Sequence, residues 1–341
     1  MFSRIFVEKE VYQTPRVQNI LKRFKNVPVQ RIDDLELIFN RVKKPYLQKR
    51  DQLQLFLGQK KGQLVKETPA AYGLSGEPHY YFIHSYNCIY ECQYCYLQGY
   101  FNSPDIVLFL NYEDIAEEII RITNEHTSAG LKRVWFHSGE YSDSLALSHI
   151  TGELPYLHKI FKELPEATLE LRTKSANIKE LLELAPLPNF ITSFSLSTQR
   201  HSKEYDLKTA PLKTRIKIIS QLANKGHPIG LHLDPIIYSD TFIEDTNELI
   251  DLLFSSVSPD QINYISLGVV RFTKDVYHQV QQNYPESSLL ASEFSKSFDQ
   301  KIRYPKPMRL WMLHKVKSML IEAGMQEKKI YLCMEEDDDQ G

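Results

Sequence analysis

Cysteine is scarce in this sequence, with four residues in a chain of 341. Three of them, Cys88, Cys92 and Cys95, lie within eight positions, and Cys333 stands near the C-terminus. A disulfide scaffold would not cluster its cysteines this way, so a bridged secreted mini-domain is excluded. Also missing is any run of about 18 apolar residues, which leaves nothing to cross a membrane as a helix. The opening stretch, MFSRIFVEKEVYQTP, lacks the basic-then-apolar layout of a signal peptide. The expectation is a soluble, cytoplasmic protein whose thiols stay reduced, and clustered thiols in that setting usually mean metal.

Net charge is nearly absent too, at −2, but this balance conceals an asymmetry. Residues 1–67 hold fifteen Lys/Arg against seven Asp/Glu, so this segment is +8 and the remainder −10. Interleaved with Phe24, Phe39, Tyr46 and Phe56, the basic segment suits a polyanion such as nucleic acid, or equally a solvated helical face. The acidic run EEDDD near the end reads as a frayed tail.

Residues 16–57 read as helices, with Val17, Ile20, Leu21 and Phe24 on one stripe. A Gly- and Pro-bearing stretch, LGQKKGQLVKETPAAYGLSGEP, follows as a linker or wrapping loop. From there six short runs rich in β-branched and aromatic residues alternate with helical patterns. They are YYFIHS (80–85), RVWFHS (133–138), LELRTK (169–174), ITSFSLS (191–197), PIGLHLDPI (228–236) and INYISLGVV (262–270). Repeated β-α units imply a parallel sheet with right-handed crossovers, open and doubly wound or an incomplete (β/α) barrel. Either way, chemistry gathers at the C-terminal ends of the strands. The polar residues there are Cys88, Ser138-Gly139-Glu140, Lys174, Ser195 and Ser197, His232 and Asp234, and Arg271.

The segment from Cys88 to Cys95 has the spacing C-x3-C-x2-C. Thiolates suit iron–sulfur clusters, zinc or copper(I). A [4Fe–4S] cluster ordinarily takes four cysteines, so three with no neighbouring fourth would leave one iron open to a cofactor. The rival is a zinc site completed by His84, though structural zinc usually uses paired knuckles in a small domain.

This motif after the first strand of a β-α series resembles that of radical S-adenosylmethionine enzymes. Its surroundings, CQYCYLQGYF, are similar to those of spore photoproduct lyase and its relatives, which repair 5-thyminyl-5,6-dihydrothymine in ultraviolet-damaged DNA. The similarity runs from about Tyr80 to Lys274, with further matches at NYEDI (111–115), YSDSLALSHITG (141–152), FSLS (194–197) and RFTK (271–274). It implies an α/β fold with a partial (β/α)6 TIM-type barrel at 76–290. A basic, helical N-terminal region would occupy 1–75, and an α-rich C-terminal segment at 291–341 would complete the site.

The resemblance also implies roles. Cys88, Cys92 and Cys95 would hold a [4Fe–4S] cluster whose fourth iron chelates S-adenosylmethionine. Ser142, Lys174 and Ser195 would hold that cofactor, and Glu140 would meet its ammonium. Tyr96, with Tyr94, would relay a hydrogen atom, while Arg271, Arg303 and Tyr304 would touch the substrate. The implied partners are damaged DNA and an electron donor such as flavodoxin or ferredoxin. In the lyases a cysteine after strand two donates the final hydrogen; aligning on Ser142-Asp143 puts Glu140 there. A carboxyl O–H is too strong a bond to replace a thiol. Cys333 then becomes the candidate donor, or the substrate differs: a modified nucleotide, RNA or a peptide. A zinc or nucleic-acid-binding protein without catalysis is the remaining alternative.

Overall fold

The computed structural model describes residues 2–39, 52–69, 76–297 and 299–335. The six apolar runs form six parallel strands in one sheet. In chain order they are His79–Phe82, Val134–Ser138, Ala167–Thr173, Phe190–Ser195, Ile229–Ile236 and Ile262–Val269. Strands covered on both faces read as nearly continuous apolar runs, and here Val134, Phe136, Leu169, Phe194, Leu231 and Ile265 are buried. The intervening helices, such as Tyr112–Ser128 and Leu212–Asn224, lay one apolar face on the sheet; the second buries Leu212, Ile216, Ile219 and Leu222.

Two further strands extend the sheet. Ile330–Leu332, after the long helix Lys306–Glu322, pairs parallel with the sixth strand. Val65–Glu67 pairs antiparallel with the first. Among the described residues these two edges do not pair with each other, so the sheet is a partial barrel and not a closed one.

The N-terminal region departs from the helical expectation. Among the described residues only Pro15–Arg23 and Leu35–Phe39 are α-helices there. Phe2–Glu8, Val29–Ile32 and Leu53–Gly58 instead build a second, mostly parallel sheet with Ile106–Phe109 and Ser85–Tyr86. The pairing partner Ile106–Phe109 is about fifty residues from Leu53–Gly58, so local periodicity had no access to it. The expected linker likewise contains a short strand, Val65–Glu67, while residues 70–75 lie outside the described residues.

The second sheet positions the cysteines. After the first barrel strand the chain crosses to Ser85–Tyr86, pairs antiparallel with Ile106–Phe109, and only then enters the cysteine loop. The loop therefore joins two paired strands of the second sheet.

Candidate active site

Asn87 opens the cysteine loop in the left-handed region, at φ 61°. Its amide donates to the carbonyls of Ser103 and Asp105, both at 2.7 Å, which pins entry to exit. Glu91 and Cys92 pair antiparallel with Leu207 and Asp206. Gln98 donates to the carbonyls of Cys92 (3.1 Å) and Gln93 (2.9 Å) and accepts from Asn283 at 2.8 Å. A backbone pairing therefore ties the three-thiol loop to Asp206–Leu207, and a side-chain bond from Asn283 to Gln98 ties it to the helix Lys274–Asn283.

Cys88, Cys92 and Cys95 all line one cavity of about 390 Å³. Opposite them stand the C-terminal ends of the barrel strands, contributing Glu140, Ser142, Lys174, Ser195 and Arg271. The strand-end rule thus brings together every proposed cofactor residue. Burial pushes the Cys88 and Cys92 thiols upward, so a metal must displace their protons to bind.

The donor set fits an iron–sulfur cluster better than zinc. His84 faces away from the required role: its Nδ1 lies 2.9 Å from Glu153 Oε2, and its Nε2 3.1 Å from Ser142 Oγ. Nor is His84 among the residues that line the three-thiol cavity. Among the described residues no three His, Cys, Asp or Glu side chains could hold a single ion, whereas a cluster bridges thiols set farther apart.

Three carboxylates fix the walls, Asp206 and Glu170 buried and Asp143 half-buried. Asp143 accepts from the N–H groups of Leu145 (3.0 Å) and Ala146 (2.9 Å), from Thr173 Oγ1 (2.7 Å) and from Lys174 N (2.7 Å). Asp206 accepts from Arg215 at 2.8 Å and from the Tyr94 hydroxyl. Glu170 accepts from His232 (2.6 Å), Tyr264 (2.5 Å) and His137, forming the cavity floor. Burial opposes its charge, yet Arg172, His232 and His137 hold the carboxyl well below its usual range. Gly230 makes this possible, since a Cβ there would meet the Tyr264 ring at 2.5 Å.

Gly139 is the second glycine the site requires. It has φ +90°, and a Cβ would lie 2.6 Å from Ser144 Oγ, which itself donates to Ser138 O at 2.8 Å. Glu140 consequently emerges from a tight, fixed turn.

The remaining expected residues divide. Tyr94 and Tyr96 line the cavity; Tyr94 is locked by Asp206 and has Lys174 Nζ 5.5 Å from its ring centroid, while Tyr96 is 39% exposed. Arg271 lines it too, in a paired contact with Asp234 at 3.0 and 3.1 Å. Arg303 and Tyr304 do not line this cavity. Arg303 is buried against Glu335 at 2.8 Å, and the Tyr304 hydroxyl accepts from Tyr238 N at 3.2 Å. Cys333 is buried behind the cavity wall with Sγ 3.8 Å from Arg271 Nη2. Glu335, the first acid of the supposed frayed tail, is held by both Arg303 and Arg309, because two buried guanidiniums need a carboxylate; residues 336–341 lie outside the described residues.

The basic segment is also partly committed. Arg16 pairs with Glu113 at 2.9 Å, Lys9 with Asp33 at 2.5 Å, and Arg31 stacks 3.8 Å over Tyr12. Arg41, Lys43, Lys44, Lys49 and Arg50 lie outside the described residues. No helix among the described residues is long and apolar enough to cross a membrane.

A partial parallel barrel with three thiols on the loop after its first strand defines the radical S-adenosylmethionine class. The comparisons narrow it. Over residues 1–322 the chain matches the spore photoproduct lyase family, and it belongs to that family. It is similar to spore photoproduct lyase of Bacillus subtilis (25% identical over 214 residues, 62% of each chain). It also resembles that of Clostridium acetobutylicum (22% over 305 residues, 87% of each). The match thus spans 62% of the length of the Bacillus relative.

Solved structures share the fold. Spore photoproduct lyase complexed with dinucleoside spore photoproduct gives a TM-score of 0.82 at 17% identity, covering 97% of this chain and 98% of that one. A double mutant with bound AdoMet and the same dinucleoside gives 0.81 at 17%, with the same coverage. The family's cofactors are S-adenosylmethionine and a [4Fe–4S] cluster, and the thiols found here suit them.

Proposed function

We propose that this chain is a radical S-adenosylmethionine lyase that reverses a thymine dimer lesion, 5-thyminyl-5,6-dihydrothymine, in ultraviolet-damaged DNA. One observation carries the reading: three thiols share a cavity with Glu140, Ser142, Lys174 and Ser195. Cys88, Cys92 and Cys95 would hold the cluster. When bound, the cluster and S-adenosylmethionine supply a 5′-deoxyadenosyl radical that takes a hydrogen atom from the lesion.

The chain's own residues position the partners. The Lys174 ammonium would meet the cofactor's carboxylate, Glu140 would meet its ammonium, and the Ser142 and Ser195 hydroxyls would meet ribose or amino groups. Tyr96, at the cavity wall, relays hydrogen, and Tyr94 is held beside it by Asp206. Arg271 faces the substrate with its charge balanced by Asp234. Flavodoxin or ferredoxin would supply electrons, and the basic segment would contact DNA phosphates. The cytoplasm, with its low redox poise, suits these requirements.

A second reading is favoured by Glu140, which by alignment stands where the lyases carry their donor cysteine. A carboxyl group cannot deliver a hydrogen atom, and that favours a different substrate, such as a modified nucleotide, RNA or a peptide. The deciding experiment is anaerobic reconstitution with iron and sulfide, followed by reduction in the presence of irradiated, dehydrated DNA. The lyase reading expects 5′-deoxyadenosine and restored thymine together. Cofactor cleavage without restored thymine moves the assignment to the second reading, and no cofactor cleavage defeats both.

A further inference from the structure

We infer that His84 and Glu153, buried behind the cavity wall, form a dyad that presents Ser142 to S-adenosylmethionine as a hydrogen-bond acceptor; this rests on the radical chemistry proposed above. The three side chains are linked end to end. Glu153 Oε2 lies 2.9 Å from His84 Nδ1, and His84 Nε2 lies 3.1 Å from Ser142 Oγ. Both members of the dyad are buried, with side chains 6% and 4% exposed, and neither lines the cavity. Ser142 does line it, so the dyad reaches the cofactor through this hydroxyl.

The backbone holds each part in place. His84 lies where the chain crosses from the first barrel strand to the second sheet, and its carbonyl accepts from Phe109 N at 3.0 Å. Glu153 opens the helix Glu153–Lys162, directly after Gly152 at φ 64°, where the helix dipole favours an acid. Ser142 sits in the turn after strand two, with its N–H donating to Gly139 O at 3.2 Å. Stability alone does not account for the dyad. A buried acid–imidazole pair is costly to desolvate, and apolar side chains of similar volume in place of such pairs are often neutral or stabilising.

An ionised carboxylate only accepts, so Glu153 keeps a ring proton on His84 Nδ1. With the ring neutral, Nε2 carries the lone pair. It takes the hydroxyl hydrogen of the nearer serine, Ser142, over that of Ser138 at 3.3 Å. A serine hydroxyl otherwise rotates to suit its surroundings, and here its hydrogen is committed to the imidazole. Its oxygen lone pairs are left for the cavity. Ser142 can then accept from an ammonium or a ribose hydroxyl, and it cannot turn its own hydrogen toward a cationic donor. No covalent bond is made or broken. His84 and Glu153 are positioning residues, and Ser142 makes the contact.

The test measures S-adenosylmethionine binding to the full chain carrying its reconstituted, oxidised cluster, by anaerobic titration calorimetry without DNA, so that nothing is cleaved. His84→Phe, Glu153→Leu and Ser142→Ala should each weaken binding on the order of tenfold, as loss of one hydrogen bond to a charged group does. Glu153→Gln keeps an acceptor for the Nδ1 hydrogen and should recover most of the loss seen with Glu153→Leu. The double variant His84→Phe/Ser142→Ala decides the point. It should bind no more weakly than Ser142→Ala, since His84 acts through that hydroxyl, whereas a merely structural role would add its own loss. Iron content identifies a variant that folds poorly, and Glu153→Leu/Ser142→Ala repeats the comparison without a new ring in the wall. Parent-like affinity in both His84→Phe and Glu153→Leu, or additive losses in the double variants, overturns the dyad and leaves the lyase reading, which is judged by restored thymine, intact. A cluster-loaded parent that does not bind S-adenosylmethionine overturns both.

Discussion

The backbone N–H of Lys174 donates to the Asp143 carboxylate at 2.7 Å, across 31 positions of sequence. Asp143 also holds the start of the turn after strand two through Leu145 N and Ala146 N. It therefore fixes Ser142, its neighbour, relative to Lys174, although it need not touch the cofactor. Asp143→Ala should weaken S-adenosylmethionine binding and slow its cleavage by about 10²-fold, as a misplacement of about 1 Å does. Asp143→Asn, which can still accept, should recover part of the loss. Equilibrium binding of the cofactor alongside the cleavage rate checks this, and equal values for Ala and parent would refute a positioning role.

Arg215 and Asp206 form the deepest ion pair at this site, 2.8 Å apart with both side chains fully buried. Arg215 also donates to Ser195 O at 2.6 Å, and Asp206 accepts from Tyr94. The pair thereby joins the end of the fourth barrel strand to the cysteine loop. Arg215→Met leaves Asp206 charged and buried, and should cost about 3–5 kcal/mol of stability. Replacing both with apolar residues should cost less than the single change. Denaturant melts of the parent, both single variants and the double variant provide the comparison, and additive losses would contradict the coupling.

The barrel was legible because strands buried on both faces are written as apolar runs, and all six fall where those runs lie. The second sheet was not, because Phe2–Glu8 and Leu53–Gly58 take their meaning from partners far along the chain. The cysteines were legible for the opposite reason: their chemistry is carried by local spacing. Asp143, Glu170 and Asp206 gave no such signal, since each acts on groups brought close only by the folded sheet. Glu170 left one trace, a lone acid between leucines in LELRTK that a wholly apolar strand would not tolerate.

Cys333 provides a sharper test of the final hydrogen transfer. Its thiol is buried beside Arg271 and its backbone N–H donates to Leu267 O at 2.7 Å, holding it in the strand register behind the cavity wall. Cys333→Ala should therefore lower stability by about 1 kcal/mol and leave product per 5′-deoxyadenosine unchanged. Loss of coupling in this variant would make Cys333 the donor.

Glu170 should make the protein sensitive to acid from within the barrel. Its folded pKa lies well below the ordinary carboxyl value of 4.5, so its charge stabilises the fold at neutral pH. That contribution is complete above 4.5 and is lost as pH falls from there through the lower folded value. His232 acts in the same direction over a higher range. Burial, then Arg172, depress its pKa from 6.5, so stability begins to fall below 6.5 as the unfolded chain takes up a proton that the fold refuses. Urea midpoints of the cofactor-free chain should thus decline in two stages, one starting below 6.5 and one below 4.5. Glu170→Gln should be less stable at neutral pH by about 1–3 kcal/mol, because an amide is a weaker partner than a carboxylate for His137, His232 and Tyr264. It should also shrink the lower stage, since glutamine does not titrate while Asp234, Glu113 and Asp299, which are lowered too, still do. A variant with the parent's full acid profile would place the source of acid sensitivity elsewhere in the barrel.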